Sequence, residues 1–91
     1  MAYFMISYDL HNQRTYQPVW DLLESWGAVR LLESVWLAEL DNKAGEVRDA
    51  LAEVIDSDDS TAVLELKAGS GWASTRAKKE GVAWLKEHIQ S

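Results

Sequence analysis

Asp9 ends the apolar and aromatic run Tyr3-Phe4-Met5-Ile6-Ser7-Tyr8, and His11 and Arg14 follow close behind it. A carboxylate at a strand end can hold Mg²⁺ or Mn²⁺ through one or two oxygens, with water and phosphate completing the shell. Two such carboxylates meeting across a dimer axis could activate water and stabilise a leaving oxygen. The same residue type also closes a loop by bonding its own backbone, with no catalytic consequence. His11 is suited to general acid or base work because its ordinary pKa lies near ~6.5; a loop histidine can equally be a solvated side chain. Arg14 could contact a phosphate or pair with a nearby acid.

A second group lies late in the chain, where Trp72 precedes Arg76, Lys78 and Lys79, with Lys67 upstream. Aromatic rings beside cations can stack single-stranded bases and hold their phosphates. Trp72 can instead anchor a helix to a sheet. Other residues carry less. Asp58 and Asp59 read as a solvated turn, and Ser34 has no adjacent base that would make it a nucleophile. Gly69-Ser70-Gly71 lacks the Lys-Ser/Thr pair of a phosphate loop. His88 is placed for a dipole contact at a helix end. With no cysteine, thiolate metal sites, disulfides and thiol catalysis are excluded.

The elements that must position these residues follow from periodicity. The N-terminal run is a strand ending at Asp9. Thr15 caps a helix with Pro18 in its first turn, apolar positions at Tyr16, Val19, Trp20, Leu23 and Trp26, and a stop at Gly27. Two strands, 29–32 and 35–40, flank a hairpin at Glu33-Ser34. Asp41 or Asn42 caps a second helix striped by Val47, Ala50, Leu51, Val54 and Ile55. A strand spans 61–67, and Gly69-Ser70-Gly71 is a flexible connection. A last helix spans 73–90, striped by Val82, Leu85 and Ile89 with Trp84 beside it. Gly81 weakens that helix by about 1 kcal/mol relative to Ala.

The order βαββαβ, followed by a helix, predicts an α+β ferredoxin-like domain over residues 1–91 with a four-stranded antiparallel sheet. Two helices cover one face. Tyr3, Met5 and Ser7 point to one side of the first strand, with Phe4, Ile6 and Tyr8 on the other. Both faces are therefore expected to be covered, the second by another subunit or by the last helix.

Composition bounds the function. A chain of 91 residues buries only about 60–65% of its unfolded surface, yet 47% of its residues are hydrophobic and five are Trp, enough for a core and an interface. The net charge of −6 opposes non-specific nucleic-acid binding, which needs cationic surface. No run approaches the ~20 apolar residues of a membrane span, and the N-terminus has no basic region ahead of its apolar run. A cytoplasmic protein without membrane association is expected.

Ile6-Ser7-Tyr8-Asp9-Leu10-His11, Leu32-Glu33-Ser34-Val35-Trp36 and Ile55-Asp56-Ser57-Asp58-Asp59, with Gly71-Trp72-Ala73 and Trp84-Leu85-Lys86, together resemble the small SinR-like proteins. That group is similar to the Cas-two proteins of CRISPR adaptation and to VapD-type toxins. The resemblance implies a ferredoxin-like homodimer whose strand-end Asp, here Asp9, approaches its dimer mate and binds a divalent metal. It aligns Arg14 with a basic loop residue, Gly27 with the glycine before the second strand, Ser34-Val35-Trp36 with the third strand's opening, and Asp58-Asp59 with an acidic turn. The family often carries two basic residues where this chain has Arg14, and ends in a crossing strand where this chain offers a helix. The leading expectation is a non-catalytic homodimeric module that binds a protein partner in a phage or mobile-element setting. The alternatives are a Mg²⁺- or Mn²⁺-dependent endonuclease using Asp9 with His11, and a nucleic-acid scaffold using Arg14, Trp72, Arg76, Lys78 and Lys79.

Overall fold

The computed structural model describes residues 1–10 and 16–90. The elements are β1 (Ala2–Asp9), α1 (Gln17–Ser25), β2 (Val29–Leu32), β3 (Val35–Leu40), α2 (Ala44–Ala52), β4 (Ser60–Leu66) and α3 (Lys79–His88). The four strands form one antiparallel sheet in the order β2-β3-β1-β4. This is the ferredoxin-like α+β arrangement with an added C-terminal helix.

Strand alternation sorts the side chains onto two faces. Phe4, Ile6 and Tyr8 of β1 and Trp36 and Ala38 of β3 pack with Val19 and Leu23 of α1 and Val47 and Leu51 of α2. Phe4, Ile6, Leu23 and Leu51 have no exposed surface. Each such side chain contributes about 1.5–3 kcal/mol by burial, so this face holds most of the fold's stability. On the other face Leu37 packs with Trp84, Leu85 and Ile89, joined by Tyr3, Met5, Val29, Leu31, Leu66 and Trp72.

The cover of that second face was the open question, and α3 supplies part of it. It packs on β2 and, to a lesser extent, on β3. Gly81 permits this approach. A Cβ added there would lie 2.6 Å from the Leu31 Cα and 2.8 Å from the Arg30 carbonyl oxygen, so the glycine that weakens the helix is what seats it. The cluster reaches Leu66 of β4, but Leu64 of the same strand stays 46% exposed.

Local chemistry fixes the boundaries. Gly27 at φ +73° ends α1. Its N–H bonds the Glu24 carbonyl, and the Ala28 N–H bonds the Leu23 carbonyl, both at 3.0 Å, which is the Schellman pattern. The expected cap at Thr15 lies outside the described residues; the helix starts after Tyr16 with Pro18 in its first turn. For α2 the cap is neither Asp41 nor Asn42 but Lys43. Glu46 reaches back, its carboxylate accepting the Lys43 N–H at 2.8 Å, so a third-position acid does what an N-cap side chain would have done. α2 ends at Ala52, before Val54 and Ile55, which still pack on the core. The fourth strand starts and stops one residue earlier than expected.

The largest departure is the last helix, which starts at Lys79 rather than Ala73. The chain must first cross from the end of β4 to the edge of β2, and residues 73–78 offer no apolar stripe to bury on the way. Arg76 adopts φ +57°, which breaks helical geometry. The Lys78 N–H then bonds the Leu31 carbonyl at 2.9 Å. The connection expected to be flexible at Gly69-Ser70-Gly71 is an anchored turn, with the Gly69 N–H bonded to the Ile89 carbonyl at 2.9 Å.

Candidate functional site

The C-terminal end of β1 opens into a cavity of about 240 Å³ lined by Tyr8, Asp9, Leu10, Tyr16, Trp20, Glu33 and Ser34. β1 delivers Tyr8 and Asp9, α1 delivers Trp20, and the β2–β3 turn delivers Glu33 and Ser34. The turn is held against β1 because the Tyr8 N–H bonds the Ser34 carbonyl at 3.2 Å.

Tyr8 organises the wall. Its hydroxyl accepts the indole N–H of Trp20 at 2.8 Å and of Trp36 at 3.2 Å. It donates to the Glu33 carbonyl at 3.3 Å. A phenol has one proton and two lone pairs, so this hydroxyl is fully used within the protein and is not available to a ligand. Tyr16 stacks on Trp20 with ring centroids 5.6 Å apart. Asp9 is exposed at the rim.

Behind this wall Arg30 is clamped between two indoles. Its guanidinium carbon lies 4.6 Å from the Trp20 ring centre and 4.7 Å from that of Trp36. Each contact is attractive through the ring quadrupole. Arg30 was not among the residues singled out from the sequence. An arginine alternating with Val29 and Leu31 looks like an edge-strand charge, and only the pairing Arg30↔Trp36 and the fold of α1 bring the rings to it.

Beside Arg30, the Lys78 ammonium lies 3.0 Å from the Glu33 carboxylate. The hydrogen bond and charge of Lys78, with a smaller contribution from Arg30, hold the Glu33 carboxyl below its ordinary value. A lowered acid pKa means the pair's contribution is present at neutral pH and is lost as pH falls through that lowered value. Glu33 is exposed, so solvent screens the interaction and its effect on stability is small.

The expected site residues are not gathered at one place. His11 and Arg14 lie outside the described residues. Asp9 lines the β1 cavity, while Lys78 lines a separate cleft with Arg30. Trp72 is half-buried and packs on the second-face cluster, which favours anchoring over base stacking. Arg76 and Lys79 are exposed. His88 does sit in the last turn of α3, and its ring packs against Trp84 and Tyr3 at 4.7 and 5.2 Å. Asp59 accepts the Asp56 N–H at 2.9 Å and so closes its own turn. No helix among the described residues is long and apolar enough to cross a membrane.

Comparison with known families matches residues 1–74 to the family described as CRISPR associated protein Cas2. The match covers the whole sheet, α1 and α2, and stops short of α3. No solved structure matches the chain.

Proposed function

The chain belongs to the CRISPR associated protein Cas2 family, and from that premise we propose that it works as a homodimeric, non-catalytic module. The observation that carries this is the uncovered part of the second sheet face. Leu64 of β4 is 46% exposed, and its cross-strand partner Met5 is only half-buried beside it. Val35 and Ala62 flank Ser7 on the same face by their register. A second copy placed there would bury a strip that α3 leaves in water. The non-catalytic part of the reading rests on what accompanies Asp9. The other carboxylate lining its cavity is Glu33, which Lys78 already engages.

Sedimentation equilibrium tests the pairing. The wild type is expected to dimerise, and Leu64→Glu to raise the dissociation constant by at least about a hundredfold, since it places an unpaired charge in an apolar contact. A wild type that stays monomeric at high concentration would remove the proposal.

One observation favours a metal-dependent phosphodiesterase as a second reading. Asp9 shares the alternation of Met5 and Ser7, so it follows the same face to its rim. A two-fold pairing across that face would bring two Asp9 carboxylates towards one another, where they could share Mg²⁺ or Mn²⁺. Under the first reading no Mn²⁺-dependent cleavage of single- or double-stranded RNA or DNA is expected. Turnover that Asp9→Asn abolishes would replace it with the second.

A further inference from the structure

The cavity at the end of β1 is both aromatic and negative. Among the described residues its charged lining is Asp9 and Glu33, two acids. Tyr16 and Trp20 form one wall as a stacked pair, with 22° between their planes, and Tyr8 lies beside Tyr16 at 6.2 Å between ring centroids. Ring faces carry negative potential, so wall and rim favour a cation together. The neutral donors that would suit an anion are already used. The Trp20 indole N–H goes to the Tyr8 hydroxyl, and that hydroxyl donates to the Glu33 carbonyl.

Charge and size narrow the ligand. Glu33 is balanced by Lys78 at 3.0 Å. The Asp9 carboxylate has no ion pair or hydrogen bond among the described residues, which leaves one negative charge to match one positive. A space of about 240 Å³ lies below the about 300–1,000 Å³ of pockets for drug-sized ligands, so it suits a group the size of a side chain. A bare Mg²⁺ wants several oxygens around it and gains nothing from the rings. An ammonium is strongly hydrated, whereas a guanidinium sheds water more easily, lies flat on a ring and forks onto a carboxylate. Trp20 already accepts one such group, with the Arg30 guanidinium carbon 4.6 Å from its ring centre. Leu32, next to Glu33 in the chain, is 46% exposed and offers apolar contact to whatever flanks the cation. The net charge of −6 draws basic partners towards the surface.

We propose that this cavity receives the arginine side chain of a partner peptide, with the guanidinium against Tyr16 and its fork on Asp9. The lining comes from a single copy of the chain, so the site does not rest on self-pairing.

An NMR titration with the blocked tripeptide glycyl-arginyl-glycine amide tests this. The Tyr16 ring and Trp20 indole N–H resonances should shift to saturation. Asp9→Asn should weaken binding about tenfold and Tyr16→Ala about fivefold. The lysyl counterpart should bind about fivefold more weakly. Asp41→Asn removes the same charge at the opposite end of the sheet, beyond the pair Ala2↔Leu40, and should change nothing. Leu64→Glu, which disrupts self-pairing, should bind as the wild type does. Equal affinity for the two peptides, unchanged affinity in Asp9→Asn, displacement by equimolar Mg²⁺, or binding lost in Leu64→Glu would each overturn the proposal. So would binding of ethylguanidinium without binding of the peptide.

Discussion

Replacing Gly81 with Ala is expected to destabilise the protein by about 2–3 kcal/mol, the upper part of the range for forcing atoms into a filled space. Helix propensity alone predicts the opposite sign, a gain of about 1 kcal/mol. Contact decides the outcome. The added methyl would meet the Leu31 Cα at 2.6 Å, the Arg30 carbonyl oxygen at 2.8 Å and the Leu31 Cδ1 at 2.8 Å. Two of those atoms are backbone in a paired strand and cannot swing aside as a side-chain tip can. α3 must then lift from β2, exposing Leu85 and Trp84, which are now buried. In a domain of this size each kcal/mol moves the melting temperature by about 4–8 °C, so thermal unfolding should begin roughly 10–20 °C earlier. A melting temperature at or above the wild-type value would show that α3 does not sit as closely on β2 as described.

The second large effect is expected at Tyr8. Removing its hydroxyl as Tyr8→Phe leaves the ring packing in place and takes one oxygen. That oxygen is the acceptor for two indoles and a donor to the Glu33 carbonyl. Trp36 is only 3% exposed, so water cannot replace the lost acceptor there. Each stranded buried donor costs about 1–3 kcal/mol, whereas the half-buried Trp20 can recover part of its loss from solvent. The net expectation is about 2–3 kcal/mol, measured by urea unfolding at constant m-value. Trp36→Phe in the Tyr8→Phe background should add less than it does alone, because the two share one interaction. Full additivity would mean that the hydroxyl and the indole act separately.

Much of the fold was legible in the sequence. The bounds of β2 and β3 were readable because each strand is a short apolar run and Glu33-Ser34 is the polar break between them. Gly27 was readable as a helix stop because a glycine after Trp26 has few other uses. The start of α3 was not readable. Ala73, Ala77 and the residues between them have acceptable helix propensity, and only the need to cross to the far edge of the sheet keeps them out of a helix. Gly81 was legible as a cost and not as a contact, since the atoms it avoids belong to β2. The site divides in the same way. Asp9 stands out as a carboxylate ending an apolar run. The Arg30 clamp joins β2, β3 and α1, and no local window contains it.

The strand order bears on how the chain reaches its native state. β1 lies in the interior of the sheet, yet its partners β3 and β4 are made much later. Only the β2–β3 hairpin closes locally, so the rest of the sheet waits on long-range loop closure, which slows folding. α3 packs on β2 and β3, so its seat is complete only once those strands have paired, and the expected order has α3 docking last. Substitutions on its seat, Gly81 included, should therefore leave the refolding rate nearly unchanged and accelerate unfolding. The lifetime of the folded protein, more than its rate of formation, is set by how firmly that final helix holds.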